Sequence, residues 1–455
     1  MKPSTPLMKA TLTGALGGLL FGFDTVVIAG AIDALVSLYH LNPQDKGLTV
    51  AIGLVGTVVG ALGAGVVGQK LGGRETLRIT AVLYLASAIG CGFAWNWPSF
   101  MFFRVVGGLG IGASSVLGPV YIAELSPAKW RGRLVATFQF MVVFGIMVAY
   151  FSNYAIRLMN LGATQWRWQV GIAALPALVF LILLFGIPRS PRWLAARDRG
   201  EEALEVLKLM GDANPEAELG DIRAALAEEQ TTEHEPVFKW KYRYPLFLAI
   251  SIGAFNQLAG INAILYYLNN IFAAAGFSQI SSYQQASYIG LILFIFTLVG
   301  MALIDKAGRK TLLLIGAAGC ATCLAGVAWI FYTHSHQHDL LWILITYIAF
   351  FSISQGAVIW VYIGEVFPTH VRSKGQGVGS ASHWTMNAII ALEFPVVVNY
   401  MSTATPFVFF AIMTVVQFFV VLFFYPETKG QTLEELQRRL LRPERTAPAG
   451  DAMTR

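Results

Sequence analysis

Charge is what this sequence has least of. Asp, Glu, Lys and Arg make up 13% of 455 residues, about half the share of an ordinary soluble domain. That excludes one large solvated globule. The residues are 56% hydrophobic and the mean hydropathy is +0.60. Cysteine is nearly absent, with three residues, which excludes a disulfide scaffold. Cys91 lies in one apolar run, and Cys320 and Cys323 form CATC inside another. Packing, not redox chemistry, is the expected role there. Nucleophile–base constellations are missing too. GGLGIG at 107–112 imitates a dinucleotide loop, but no strand precedes it. Neither an enzyme nor a cofactor is therefore expected. The short tract HSHQHD holds His334, His336 and His338. It reads as a solvated loop, so no metal is expected. A cleavable signal is not expected either, because the first apolar run leads into further apolar runs.

What the chain does have is apolar length. About twelve runs reach the ~20 residues that a helix needs to cross a bilayer. They lie near 10–30, 47–69, 77–96, 101–123, 134–155, 168–187, 246–272, 286–305, 311–332, 341–364, 376–400 and 406–425. Glycines spaced by four, such as Gly14/Gly18, Gly56/Gly60 and Gly108/Gly112, let such helices approach closely. The expectation is an all-α multi-pass membrane protein whose partner is the lipid bilayer. One set of loops carries Lys70, Arg74, Arg78, Lys129, Arg131, Arg133, Lys306, Arg309, Lys310, Arg372 and Lys374. By the positive-inside rule that face is cytoplasmic, as are both termini. The net charge of +6 then needs no nucleic-acid partner.

The chain divides into halves. Residues 1–187 hold six spans, 188–244 a hydrophilic linker with helical periodicity, 245–425 six more spans, and 426–455 a tail. The halves repeat. Glu124-Leu-Ser-Pro127 through Arg131 returns as Glu365-Val-Phe-Pro368 through Arg372, and Gly72-Gly73-Arg74 as Gly308-Arg309-Lys310. Such matches suit parallel six-span repeats. In E-x-x-P-x-x-x-R the proline stops a helix, and the arginine can reach carboxylates on neighbouring helix ends. Glu124, Arg131, Asp305, Arg309, Glu365 and Arg372 are thus candidates for an inner gate. Capping alone is the alternative for any single residue.

Two features inside the apolar runs point to chemistry. Asp24 stands in GALGGLLFGFDTVVIAG, where a carboxylate costs about 2.5–3.5 kcal/mol on insertion scales. A rise of 1.5 Å per residue puts it ~8 Å from the far face of a ~30 Å core. Arg104 enters from that face and lies ~9 Å deep by the same rise. The pair is a candidate proton-coupling site; a static lock between two helices is the alternative. Glu393, in IIALEFP, is a second intramembrane carboxylate and a further candidate proton site. The second feature is a set of amides and indoles: Asn256, Gln257, Asn262 and Tyr266 in FNQLAGINAILYY, Gln139, Trp360, and His383, Trp384 and Asn387 in SASHWTMNA. Amides both donate to and accept from sugar hydroxyls, and aromatic faces cover sugar C–H faces.

At these residues the chain resembles the sugar porter family of the major facilitator superfamily. The motifs are GFDTVVIAGA (22–31), RVVGGLGIG (104–112), YIAELSPAKWRG (121–132), SPRWL (190–194), NQLAGIN (256–262), DKAGRK (305–310), GEVFPTHVRSKG (364–375) and PETKGQTLEEL (426–436). The resemblance implies the major facilitator fold, twelve helices in two six-helix bundles, and alternating access. It adds Phe21 and Gly356 to the monosaccharide site. Asp24 is similar to the aspartate of the bacterial proton–xylose symporters, whereas Ile146 is similar to the facilitative glucose carriers. Gln69 and Arg189 depart from the family's acidic residues at the inner face. The expected function is proton-coupled symport of a monosaccharide, a hexose such as glucose before a pentose, by a monomer in the bacterial inner membrane. Protons are the coupling ion. Facilitative uniport is the alternative within the same fold, and a transport-dead sugar sensor is the alternative outside transport.

Overall fold

A computed structural model describes residues 3–127, 129–231, 236–368 and 371–430 with Leu436 and Leu440; side chains at 228–231 are not described. Parts of the duplicated motif (128, 369 and 370), of the PETKGQTLEEL stretch (431–435) and of the tail lie outside the described residues.

Among the described residues twelve long helical segments follow one another: α1 (Thr5–Tyr39), α2 (Pro43–Leu71), α3 (Gly73–Gly92), α4 (Trp97–Leu125), α5 (Arg131–Leu158), α6 (Gly162–Gly186), α7 (Trp240–Tyr266), α8 (Gln279–Ala307), α9 (Arg309–Thr333), α10 (Gln337–Glu365), α11 (Arg372–Tyr400) and α12 (Ala404–Phe424). Ten are long and apolar enough to cross a membrane. The other two, α3 and α11, open on charged residues (Arg74, Glu75 and Arg78; Arg372 and Lys374). Between α6 and α7 lie the short helices Pro191–Ala195, Gly200–Met210 and Pro215–Thr231. Boundaries move where caps outrank apolarity. Ser4 caps α1, and His40, in the left-handed region, ends it. So α1 is 35 residues long, well past the apolar run. Asn96 and Ser99 form a capping box that starts α4 at Trp97.

Glycine spacing sets the packing inside the first half. A Cβ on Gly56 would lie 2.4 Å from the Val105 carbonyl, and one on Gly60 2.3 Å from that of Leu109. From the other side, Gly108 and Gly112 would each come within 2.0 Å of α2 carbonyls. Two four-residue glycine pairs thus interlock α2 with α4. Gly22 and Gly145 do the same for α1 and α5, with 1.8 and 2.1 Å to the facing carbonyls.

The halves meet away from the basic loops. Asn269 donates to the Ala29 carbonyl (2.8 Å), Tyr283 to Gly30 (2.6 Å), Asn270 to Asp33 (2.6 Å) and Tyr150 to Leu265 (2.6 Å). Arg157 also bonds Gln279, and Gly47 of α2 packs on the Leu392 carbonyl of α11. These contacts close the far face.

Candidate functional site

Helix α1 carries Phe21 and Asp24, while α7 and α11 carry most of the amide cluster. Arg104 Nη1 donates to Asp24 Oδ2 at 3.1 Å, and the residues are 6% and 8% exposed. Two glycines leave the space: a Cβ on Gly53 would sit 3.2 Å from Arg104 Nη2, and one on Gly107 3.5 Å from Asp24 Oδ2. One hydrogen bond joins the pair, and Arg104 Nε has no acceptor among the described residues.

The amide cluster depends on a break in α7. Gly260 stands at φ +84, and a Cβ there would lie 2.3 Å from the Phe410 ring. Only glycine fits both conditions. Steps of 100° along an unbroken helix would put Asn262 about 140° from Gln257. The break instead lets Asn262 Nδ2 donate to Gln257 Oε1 at 3.0 Å. Gln257 Nε2 in turn donates to Asn256 (3.1 Å) and lies 3.2 and 3.3 Å from the ring nitrogens of His383. His383 lies 5.1 Å from Trp360 and 5.0 Å from Trp384 between ring centres. Trp384 reaches Phe21 of α1 at 5.7 Å, across the two halves. Asn387 donates to the Tyr266 hydroxyl at 3.1 Å, and its own Oδ1 is buried without a partner among the described residues. Asn256, Gln257, Asn262, Tyr266, Trp360, His383, Trp384, Asn387 and Phe21 therefore form one group. Gln139 and Gly356 are half-buried and join no side-chain hydrogen bond of that group among the described residues. Ile146 is buried against α1 beside Gly22.

On the basic face the second half holds a closed network. Arg309 donates to Glu365 (2.9 Å) and pairs with Asp305 (3.0 Å), and Thr428 donates to the other Glu365 oxygen (2.6 Å). Glu427 accepts from the backbone N–H groups of Arg309 (2.9 Å) and Lys310 (3.1 Å). Burial pushes the Glu427 carboxyl up, but N–H donation from Lys429, Arg309, Lys310 and Thr428 outweighs it and holds the carboxyl below the usual range. Arg372 Nε donates to the Phe367 carbonyl. The first half departs from this plan. Arg131 pairs with Glu218 of the linker (3.7 Å), and Glu124 faces Ser190 and Arg192. The reason is local: Gln69 and Gly73 stand where Asp305 and Arg309 stand in the repeat.

Sequence reasoning missed several polar residues. Asn269, Asn270, Tyr150 and Tyr283 join the halves, yet each reads singly as an interfacial residue. Gln355 donates to Gln417 at 3.0 Å within a π-helical turn, Ser352–Gly356; the polar SISQG in an apolar span was the available signal. Glu393 is exposed. His336 pairs with Asp339 at 3.4 Å, and His338 packs on Phe277.

Comparison with known proteins follows the same lines. The profile of the family described as sugar (and other) transporter matches residues 10–440. The arabinose-proton symporter of Bacillus subtilis (strain 168) is 34% identical over 453 residues, covering 96% of this chain and 98% of the relative. The glucose transport protein of Synechocystis sp. is 35% identical, covering 93% and 95%. Among solved structures, a partially occluded inward-open conformation of the xylose transporter XylE from E. coli superposes with a TM-score of 0.85 at 31% identity. It covers 94% of this chain and 100% of that one.

Proposed function

This chain belongs to the sugar transporter family of the major facilitator superfamily, and on that premise we propose that it is a proton-coupled monosaccharide symporter working by alternating access. One observation carries the reading: the buried Asp24–Arg104 pair lies one turn along α1 from Phe21, which touches the amide–indole pocket. Relatives of known coupling, such as the arabinose-proton symporter, support it. Asp24 exchanges the proton, and its ionised form is held by Arg104. The pocket of Phe21, Asn256, Gln257, Asn262, Tyr266, Trp360, His383, Trp384 and Asn387 binds the sugar, with Gln139 and Gly356 completing it as the halves close. Residues 1–187 and 245–425 move as two bodies joined by the linker. The basic face is cytoplasmic, so the far-face contacts between halves are the closed outer gate, and the protein works as a monomer in the bacterial inner membrane. No cofactor takes part.

Purified protein in liposomes should accumulate labelled sugar when the outside is made acidic. A panel of hexoses and pentoses in counterflow identifies the substrate. Sugar exchange without pH-driven accumulation would mean uniport.

The network of Arg309, Glu365 and Asp305 is the inner gate of the second half. Glu365→Gln leaves the Arg309 guanidinium half-paired, and it should raise labelling of a cysteine placed near Gly377 from the basic side. Unchanged labelling with full transport would reduce the network to helix capping.

A further inference from the structure

The two halves share one plan on the basic face, and at one position its charge is reversed. After α12 the chain reads Pro426-Glu427-Thr428; after α6 it reads Pro188-Arg189-Ser190. The surroundings correspond. Tyr362 donates its hydroxyl to the Pro426 carbonyl at 3.2 Å, and Tyr121 donates to that of Pro188 at 2.6 Å. Thr428 bonds Glu365, and Ser190 faces Glu124. Arg189 therefore holds the place of Glu427. In the second half that place brings a carboxylate to the loop joining α8 and α9. In the first half it brings a guanidinium to the loop joining α2 and α3.

The charges around Arg189 do not balance. Arg74, Arg78 and Arg189 converge on one carboxylate, Glu75, at 2.6, 2.8 and 3.4 Å. Arg199 is taken by Glu202 through two hydrogen bonds, at 2.6 and 2.5 Å. Beside them lies a cavity of about 310 Å³ whose wall includes Arg74, Arg189, Arg199, Glu202 and Glu205. The cavity wall itself thus carries three guanidiniums and two carboxylates, one negative charge short. Among the described residues, the long contact to Glu75 is the one hydrogen bond of Arg189. Its plane lies over the Trp193 ring, 5.0 Å from the centre, which fixes the fork while leaving most of its N–H groups unused. A fixed guanidinium fork with unused donors matches two oxygens of a phosphate group.

We propose that this cavity is an anion site for a phosphate group, supplied either by a soluble phosphate ester or by the headgroup of an anionic phospholipid. The bound phosphate takes the part that Glu427 plays in the other half. It ties the linker helix Gly200–Met210 to the start of α3, and so sets how firmly the linker holds the first bundle. The site is separate from the sugar pocket and stands whether or not the chain is a symporter.

The test uses the delipidated full-length protein in neutral detergent. Melting is followed while inorganic phosphate replaces chloride at constant ionic strength. A saturable rise in Tm is expected, as mass action requires of a ligand that binds the folded state. Arg189→Glu, which copies the other half, should lose the rise, and Arg199→Gln should weaken it. Both variants should keep the wild-type response to sugar, which shows that they are folded and separates this site from the transport pocket. No saturable rise in the wild type, or an equal rise in Arg189→Glu, would overturn the site. The source follows from nanodiscs. If phosphatidylglycerol bilayers abolish a response that phosphatidylcholine bilayers preserve, the headgroup is the resident anion. A response in both assigns the site to a soluble phosphate ester.

Discussion

Replacing Asp24 by asparagine is expected to abolish pH-driven accumulation of sugar while sugar binding and counterflow persist. The amide has the shape of the protonated carboxyl and can still accept a hydrogen bond from Arg104, so the 3.1 Å contact survives in neutral form. What is lost is the ability to give up a proton. On the proposed reading the ionised carboxylate holds Arg104 by charge, and protonation would weaken that hold to a neutral hydrogen bond. Because α1 also carries Phe21 and the carbonyls of Ala29 and Gly30 bound by the other half, the proposed change at Asp24 would reach the pocket and the contacts between the halves along one helix. The coupling must be reciprocal: a proton that tightens sugar binding is itself bound more tightly when sugar is present. Arg104→Ala is a poorer probe, since stranding one partner of a buried pair costs about 3–5 kcal/mol and lowers the yield of folded protein. Accumulation measured in liposomes under an imposed pH difference checks the prediction. An Asp24→Asn protein that still concentrates sugar would make the pair a static lock between α1 and α4 and turn attention to Glu393.

Gln257→Ala should lower sugar affinity by roughly two- to a hundredfold, for a loss of one to two hydrogen bonds at about 0.5–1.5 kcal/mol each, more where a partner is stranded. Gln257 is the centre of the amide group, bonded to Asn256 and Asn262 and touching His383. These amides bond one another, and on the proposed reading sugar hydroxyls would take over the same donors and acceptors. Trp360→Ala should weaken binding as well, since the indole is partly open at 38% exposure and free to cover a sugar face. Sugar titration of the purified variants, with Tm as the control for folding, provides the check. Unchanged affinity in both variants would place the sugar elsewhere.

Much of this molecule is legible along the chain. Apolar runs of membrane length appear as helices because a backbone in lipid has no water to bond and must satisfy itself. The glycine pairs Gly56/Gly60 and Gly108/Gly112 were visible as spacing, and they interlock because only a missing Cβ lets two carbonyl-bearing helices approach so closely. The Asp24–Arg104 contact was legible for a related reason: depth follows from a fixed rise per residue, and two lone opposite charges at one depth have few other partners. The rest required the folded chain. The position of Asn262 depends on the backbone break at Gly260, and a glycine alone does not say whether a helix bends or continues. That decision belongs to Phe410, 150 residues away, whose ring fills the space a Cβ would need. The duplicated E-x-x-P-x-x-x-R suggested two equivalent networks, yet Glu365 pairs with Arg309, from outside the motif, while Arg131 turns to Glu218 of the linker. Sequence by itself determined the class, the span number and the buried pair, because hydropathy, helical rise and charge burial are local costs. Which amides meet, which carboxylate takes which arginine, and which face is closed were decided by tertiary structure, because those depend on distances between segments that the chain order does not contain.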